Sequence, residues 1–196
     1  AFAFYPNKQM TTGEGGVIVT NSKEIAHLCR SLRNQGRREM GAWLEHERLG
    51  YNYRMTEMSA ALGVSQLRRI EVLLAKRERV AQMYTERLSK LELVRPPVVR
   101  PYVRMSWFVY VVTLAEGLHR DLVMKALEEK GVPSRGYFSP VHLQPYIRKL
   151  LGTREGMLPV TESVAQRTIA LPFHSNLSSA EIDLVVEALG ECLSCL

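Results

Sequence analysis

An apolar pattern of helical period, about 35 residues long, dominates the middle of the chain and limits how the chain can fold. The pattern runs from Thr56, a residue type that caps helices, to Leu91. One straight helix of that length would measure about 50 Å, more than the diameter of a small domain, so we expect it to bend or break. The 196 residues are enough for two small domains, and the charged stretch LLAKRER is the expected boundary, which predicts domains 1–75 and 76–196.

Short strands and one helix are predicted before this pattern. The aromatic residues of AFAFY predict an opening strand, and GGVIVT over residues 15–20 predicts a second strand. A helix with Ser22 as its N-cap is expected to end at Gly36. Residues 37–55 show no sustained period and are rich in side chains that can contact a ligand, so we expect a functional loop there.

The residues after the long pattern alternate between strand and helix signals. Three prolines within Val94–Val103 exclude a helix and predict an extended connector. Strands are predicted over 107–114 and 132–137, and helices over 121–130 and after the capping box at 178–181; a loop and a helix are expected around SPVHLQPYIRKLLG. This order predicts a self-contained α+β domain.

Charge and hydropathy narrow the classes of partner. The net charge of +6 is compatible with nucleic acid or with an anionic small molecule. The arginine-rich stretches RSLRNQGRR and LRRIEVLLAKRERV carry no aromatic stacking residues, so we expect no nucleic-acid binding and favour a phosphorylated substrate. The longest apolar run without charge, residues 107–115, is far shorter than the roughly 20 residues of a spanning helix, so we also expect no membrane association.

The three cysteines, Cys29, Cys192 and Cys195, leave two interpretations open. The last two form a single CxxC at the end of a helical pattern, which without a second Cys or His pair is a weak signal of zinc or redox chemistry. We favour reduced thiols in a cytoplasmic protein that binds no metal.

Lys8 stands between the aromatic opening strand and a turn that contains Gly13, Gly15 and Gly16. An isolated lysine is ordinarily a solvated surface residue. Burial beside aromatic side chains, however, favours the neutral, nucleophilic amine, which can form a Schiff base with an aldehyde cofactor. The glycines let the backbone pass close to a bound ring or phosphate, so Lys8 is the leading candidate for a catalytic residue.

The stretch FYPNKQMTTGEGGVIVTN resembles the lysine motif of the DegT/DnrJ/StrS sugar aminotransferases, fold-type I enzymes that depend on pyridoxal phosphate (PLP). Further stretches resemble later segments of the same family in the same order, namely RSLRNQGR, WLEHERLGYNYRMTEMSAALGVSQLRRIE, YFSPVHLQPY and ALPFHSNLSSAEID. The resemblance spans nearly the whole chain. It implies an α/β fold in which the end of the large cofactor domain is followed by the small α+β C-terminal domain.

The resemblance also implies roles for individual residues. Lys8 matches the lysine that holds PLP and then transfers a proton between the substrate α-carbon and the cofactor C4′; relatives that act as dehydratases carry histidine there. Asn52 matches an asparagine that reaches the PLP phosphate from the neighbouring subunit, which implies a homodimer with shared sites; alternatively, Asn52 forms a turn between two tyrosines. His142 and Tyr53 are the candidate substrate-binding residues, and a plain loop histidine is an equally good interpretation of His142.

Part of the family's cofactor site has no counterpart in the sequence. The family takes the acidic partner of the pyridine nitrogen from residues before the lysine, and only seven residues precede Lys8. The chain contains two aspartates, Asp121 and Asp183, and both fall on predicted helices of the second domain. Two strands before Thr56 also cannot build a cofactor-binding sheet, so we expect the chain to be the C-terminal half of a longer enzyme and to be inactive alone.

These observations favour one function over two others. The resemblance implies a PLP-dependent aminotransferase that converts a nucleotide-linked keto-sugar to an amino-sugar, with an amino acid such as glutamate as the donor. One alternative is a non-catalytic fragment or regulatory relative that keeps the fold without PLP turnover. The other, a basic nucleic-acid-binding protein, would show strongly salt-dependent binding.

Overall fold

The computed structural model describes residues 1–38 and 45–195, so part of the predicted loop, residues 39–44, lies outside the described residues. The chain divides into two compact units, Ala1–Ile70 and Glu71–Leu196. The helices are α1 (Lys23–Arg33), α2 (Glu57–Arg68), α3 (Ile70–Leu88), α4 (Arg120–Glu129), α5 (Pro145–Leu151), α6 (Pro159–Arg167) and α7 (Ser179–Ser194). The strands are β1 (Phe2–Ala3), β2 (Gly16–Val17), β3 (Val94–Arg95), β4 (Tyr110–Leu114), β5 (Arg135–Gly136) and β6 (Thr168–Leu171).

The first unit begins with the predicted strand, turn, strand and helix. Strands β1 and β2 pair antiparallel, with Phe2 opposite Val17. The Ser22 hydroxyl accepts a hydrogen bond of 3.2 Å from the Ile25 N–H, which confirms Ser22 as the N-cap of α1. Both strands are only two residues long, shorter than the sequence pattern predicts.

The long helical pattern is interrupted at Arg69, so α2 and α3 are separate helices. The Thr56 hydroxyl accepts a hydrogen bond of 3.2 Å from the Ser59 N–H, which confirms the predicted start of the pattern. At the other end of α2, the Arg69 N–H donates to the carbonyls of Gln66 and Leu67, which tightens and ends the last turn. The interruption confirms that a helix of this length does not continue unbroken.

Among the described residues of the first unit, glycine aside, no apolar side chain is buried. Its buried side chains are those of Thr12 and Ser31, which are polar. Large apolar side chains such as Val19, Met58 and Leu67 leave more than half of their surface exposed to solvent. A helix that is apolar on several faces, as α2 is, normally lies inside a larger protein.

The second unit contains a four-stranded antiparallel sheet in the order β3–β4–β6–β5. Strand β4 shows the alternation expected of a strand with one buried face, because Tyr110, Val112 and Leu114 are buried. Helices α3, α4 and α7 contribute the rest of the core. Its fully buried members include Val80, Tyr84, Leu88, Val123, Leu127, Ile169, Ile182 and Leu189.

Two elements of the second unit differ from the sequence prediction. Val94 and Arg95, at the start of the predicted connector, form β3 and pair with Leu114 and Thr113 of β4. Helix α6 was missed: Leu158 at its N-cap makes no side-chain cap hydrogen bond, and the one local start signal is Pro159, a residue favoured at the first helical position. The capping box of α7 is confirmed, since Ser178 and Glu181 exchange hydrogen bonds between side chain and backbone.

Candidate functional site

Lys8 lies in a short loop whose two ends are joined by hydrogen bonds. The Phe4 carbonyl accepts from the Thr12 N–H at 3.0 Å and from the Thr11 hydroxyl at 2.9 Å. Within the loop, the Lys8 N–H donates to the Tyr5 carbonyl at 3.0 Å. Lys8 as a whole is half-buried, and these hydrogen bonds fix the backbone of the loop that carries it.

The turn after Lys8 requires glycine at position 15. Gly15 has a φ of 141°, and a Cβ atom built on it would lie 2.6 Å from Met55 Cε and 2.8 Å from Thr12 Oγ1. The Gly15 carbonyl also accepts from the Phe4 N–H at 2.9 Å. At Gly15 the backbone is approached closely by side chains of the protein itself, and the expected approach of the glycines to a bound ring or phosphate stays a prediction.

Asn52 and Tyr53 lie on an extended segment beside the end of α1. The N–H groups of Tyr51 and Tyr53 donate to the carbonyls of Leu32 and Arg33, each at 2.8 Å. The rings of Tyr51 and Tyr53 stack with centroids 5.0 Å apart. The side chains of Asn52 and Tyr53 are exposed, so this segment presents an amide and a phenol to a ligand or to another chain.

The four predicted site residues are divided between the units. Lys8, Asn52 and Tyr53 belong to the first unit, and His142 belongs to the second. His142 lies in a 3-10 turn, Val141–Leu143, and its side chain is buried. Contact of His142 with a substrate stays a prediction.

Glu162 holds His142 and a neighbouring loop in place, a role that sequence reasoning missed. His142 Nε2 and Glu162 Oε1 are 2.8 Å apart, and Glu162 also accepts from the N–H groups of Gly156 and Leu158 at distances of 2.9 to 3.1 Å. The Thr153 hydroxyl donates to the His142 carbonyl. His142 and Glu162 are 20 residues apart in sequence, and no spacing rule connects them.

The hydrogen bonds to Glu162 also change its acidity. Donation from the Gly156 N–H, and then from His142, lowers the pKa of the Glu162 carboxyl below its usual value, because these bonds favour the charged form. The ionised carboxylate is therefore the form that orders the loop.

Each of the two aspartates pairs with an arginine of the second unit. Asp183 pairs with the Arg87 guanidinium, which lowers the pKa of the aspartate. Asp121 lies 3.0 Å from Arg120 on the surface of α4. The expectation that both lie on helices of the second unit is confirmed.

Neither a cluster of metal ligands nor a membrane-spanning helix occurs in residues 1–38 and 45–195. In those ranges, no three or more His, Cys, Asp or Glu residues are grouped so that they could hold a metal ion. Burial raises the pKa of the Cys192 thiol, while Cys195 is exposed. None of the described helices is both long and apolar enough to cross a membrane.

Sequence comparison relates the chain to sugar aminotransferases. The model of the DegT/DnrJ/EryC1/StrS aminotransferase family matches residues 1–190. GDP-perosamine synthase from Caulobacter vibrioides is 40% identical over 196 residues, which cover 98% of this chain and 52% of that protein. The spore coat polysaccharide biosynthesis protein SpsC of Bacillus subtilis is 32% identical, with 97% of this chain and 52% of that protein covered. The chain spans about half the length of the curated relatives it matches.

Structural comparison gives the same result. An aminotransferase of this family from Brucella abortus superposes with a TM-score of 0.82 at 32% identity, covering 95% of this chain and 48% of that one. The aminotransferase TlmJ from Streptoalloteichus hindustanus superposes with a TM-score of 0.86 at 28% identity, covering 98% and 51%. These likenesses confirm the predicted α/β fold of the fold-type I class.

The Glu162 carboxylate should make the loop at Gly156 sensitive to acid. Because the folded pKa is lowered, its stabilising contribution is complete above the ordinary glutamate pKa of about 4.3 and is lost as the pH falls through the lower folded value. We expect the amide resonances of Gly156 and Leu158, followed by NMR, to titrate with a midpoint below about 4.3. Glu162→Gln should abolish this titration and the exposed Glu155→Gln should leave it unchanged; a midpoint at or above the ordinary value would contradict the assignment.

Proposed function

Because this chain belongs to the DegT/DnrJ/EryC1/StrS aminotransferase family, we propose that it forms the C-terminal half of a PLP-dependent nucleotide-sugar aminotransferase. The enzyme would convert a nucleotide-linked keto-sugar to an amino-sugar, with an amino acid such as glutamate as the donor. The observation that carries the proposal is the position of Lys8: the family's lysine motif forms a closed loop with this residue inside it.

Residues of the first unit are suited to bind two groups of PLP, its aldehyde carbon and its phosphate. The amine of Lys8, a half-buried residue on a hydrogen-bonded loop, is suited to bind an aldehyde carbon covalently. The exposed Asn52 amide is a suitable donor to a phosphate and adds no charge. No aspartate of the chain suits the pyridine nitrogen, so that partner would come from another segment of the enzyme.

When bound, PLP supplies an electron sink for the negative charge that develops at the substrate α-carbon. Lys8 Nζ would hold the cofactor at rest and would then carry a proton between that carbon and C4′ of the cofactor. A lysine amine performs both tasks because it is a nucleophile and a base when neutral. Asn52 of a second subunit would hold the phosphate, which makes the proposed active enzyme a homodimer.

The substrate-binding assignments rest on two different kinds of placement. Tyr53 is 71% exposed and could contact a sugar or nucleotide directly. His142 is buried and held by Glu162, so its contribution would come through the position of its loop.

The lack of a core in the first unit supports the proposal that further polypeptide completes it. An isolated two-stranded hairpin is marginally stable at best in water. The first unit has such a hairpin, and large apolar side chains such as Val19, Met58 and Leu67 are more than half exposed. We propose that it is the end of a cofactor domain whose other strands cover those side chains, and that Glu71–Leu196 is the small domain.

The second candidate, a relative that keeps the fold without turnover, is favoured by one observation. Both aspartates of the chain, Asp121 and Asp183, pair with arginines on helices of the second unit, so the sequence offers no unpaired aspartate for the pyridine nitrogen. Covalent capture of PLP by the full-length protein distinguishes the two candidates.

Lys8→Ala should abolish covalent capture of PLP by the full-length protein. After borohydride reduction, we expect the unaltered protein to gain one pyridoxyl phosphate group, which peptide mass spectrometry places on Lys8. Lys23→Ala, at the exposed start of α1, is the matched control and should capture PLP normally. Capture by Lys8→Ala would remove Lys8 from its role, and no capture by the unaltered protein would favour the non-catalytic alternative.

Mixing two inactive variants tests the shared site. In a dimer formed from Lys8→Ala and Asn52→Ala subunits, one of the two sites would combine an intact lysine with an intact asparagine. Random mixing should therefore restore about a quarter of the unaltered activity, since half of the dimers are mixed. Activity in the mixture no higher than in the separate variants would contradict sharing.

A further inference from the structure

Thr12 is the buried side chain closest in sequence to Lys8, and it is 6% exposed in a unit whose large apolar side chains are exposed. Its hydroxyl donates to the Glu14 carbonyl at 2.6 Å and so fixes the turn after it. Its backbone N–H donates to Phe4 at the closing end of the Lys8 loop. Thr12 therefore joins the loop and the glycine turn through one residue.

The methyl group of Thr12 faces helix α2 at Gly63. A Cβ atom built on Gly63 would lie 3.1 Å from Thr12 Cγ2, the only described atom within 4 Å apart from its chain neighbours and the nearby backbone of its own helix. That separation is tighter than ordinary contact, so a side chain at position 63 would push the Thr12 methyl group by a few tenths of an ångström. The helix thus has a glycine at the point where it meets the base of the Lys8 loop, although glycine in a helix interior is unfavourable.

We propose that Thr12 and Gly63 form a positioning contact that sets where α2 holds the Lys8 loop. A shift of Thr12 moves its N–H, and with it the Phe4 carbonyl that Thr11 and Thr12 share. Lys8 lies between Phe4 and Thr12, so its amine moves with the two ends of the loop. The contact itself stands on the geometry, while its importance for the cofactor rests on the proposed function of Lys8.

Thr12 acts through Lys8 in this proposal and is a positioning residue. The glycine at position 63 and the methyl group at position 12 fill one space between them. Removing the methyl group should therefore make room for a side chain on the helix. This complementarity gives a test in which one substitution rescues another.

Gly63→Ala in the gene product of natural length should weaken PLP binding about tenfold, because small displacements of a reacting group are costly. Thr12→Ser removes the methyl group and keeps the hydroxyl, so the double variant should return to within about twofold of the unaltered affinity. Ser65→Ala, on an exposed position of α2, is the matched control and should have no effect. Affinity is measured from the absorbance of the lysine-bound cofactor.

Amide exchange of residues 5–11 without PLP provides a second readout that needs no cofactor. Gly63→Ala should increase exchange there, and adding Thr12→Ser should reverse the increase. If Gly63→Ala fails to fold, Thr12→Ser alone should still raise exchange in the loop, because it removes the contact without adding bulk.

The two readouts separate the positioning contact from the proposed function. Rescue in both supports the contact and its role. If adding Thr12→Ser reverses the faster amide exchange of Gly63→Ala but no form of the protein binds PLP, the contact is supported and the proposed function is contradicted. If the double variant exchanges as fast as Gly63→Ala, or if neither single substitution changes amide exchange in the loop, the positioning contact is overturned whatever the PLP affinity.

Discussion

Among the residues that the structure describes, apolar side chains are fully buried in the second unit and none is in the first, and the stability of the two units depends on this asymmetry. Residues such as Tyr110, Leu127 and Leu189 are fully buried in the second unit, whereas the first unit buries only Thr12 and Ser31 among its described side chains larger than glycine. Removal of apolar surface from water is the main favourable contribution to folding. The second unit therefore has a source of stability of its own, and the first unit needs another surface to cover it.

The candidate site lies in the unit without a core, and local polar contacts shape it. The Phe4 carbonyl, the Thr12 hydroxyl and the backbone at Gly15 determine the path of the chain around Lys8. Each such hydrogen bond contributes about 0.5 to 1.5 kcal/mol net, which is enough to select one loop conformation and too little to stabilise a domain. The geometry of the loop is thus set by residues of this chain, and under the proposed function its stability would come from further polypeptide that covers the unit.

The sequence predicted the features that depend on neighbouring residues. Ser22 and the Ser178–Glu181 pair were predicted as caps because their hydrogen bonds lie within one turn of helix. The break between α2 and α3 was predicted from the length of the helical pattern.

Features that depend on tertiary contact could not be predicted in this way. His142 and Glu162 meet across 20 residues, and Thr12 meets Gly63 through a space that no local pattern encodes. Helix α6 carries no side-chain cap, so Pro159 at its first position was the one local signal of its start. Even the two-residue length of β1 and β2 is set by pairing between them and not by their apolar residues.

Native-state hydrogen exchange on the 196-residue chain by itself tests the central claim most directly. If only the second unit contains the core, the amides of β4, β6 and α7 should be strongly protected and those of α1 and α2 should exchange rapidly. Adding the polypeptide that covers the first unit should then slow exchange in α1 and α2. Protection of α1 and α2 equal to that of β4 and β6 in the chain alone would contradict the account, because the first unit would then be stable without a partner surface.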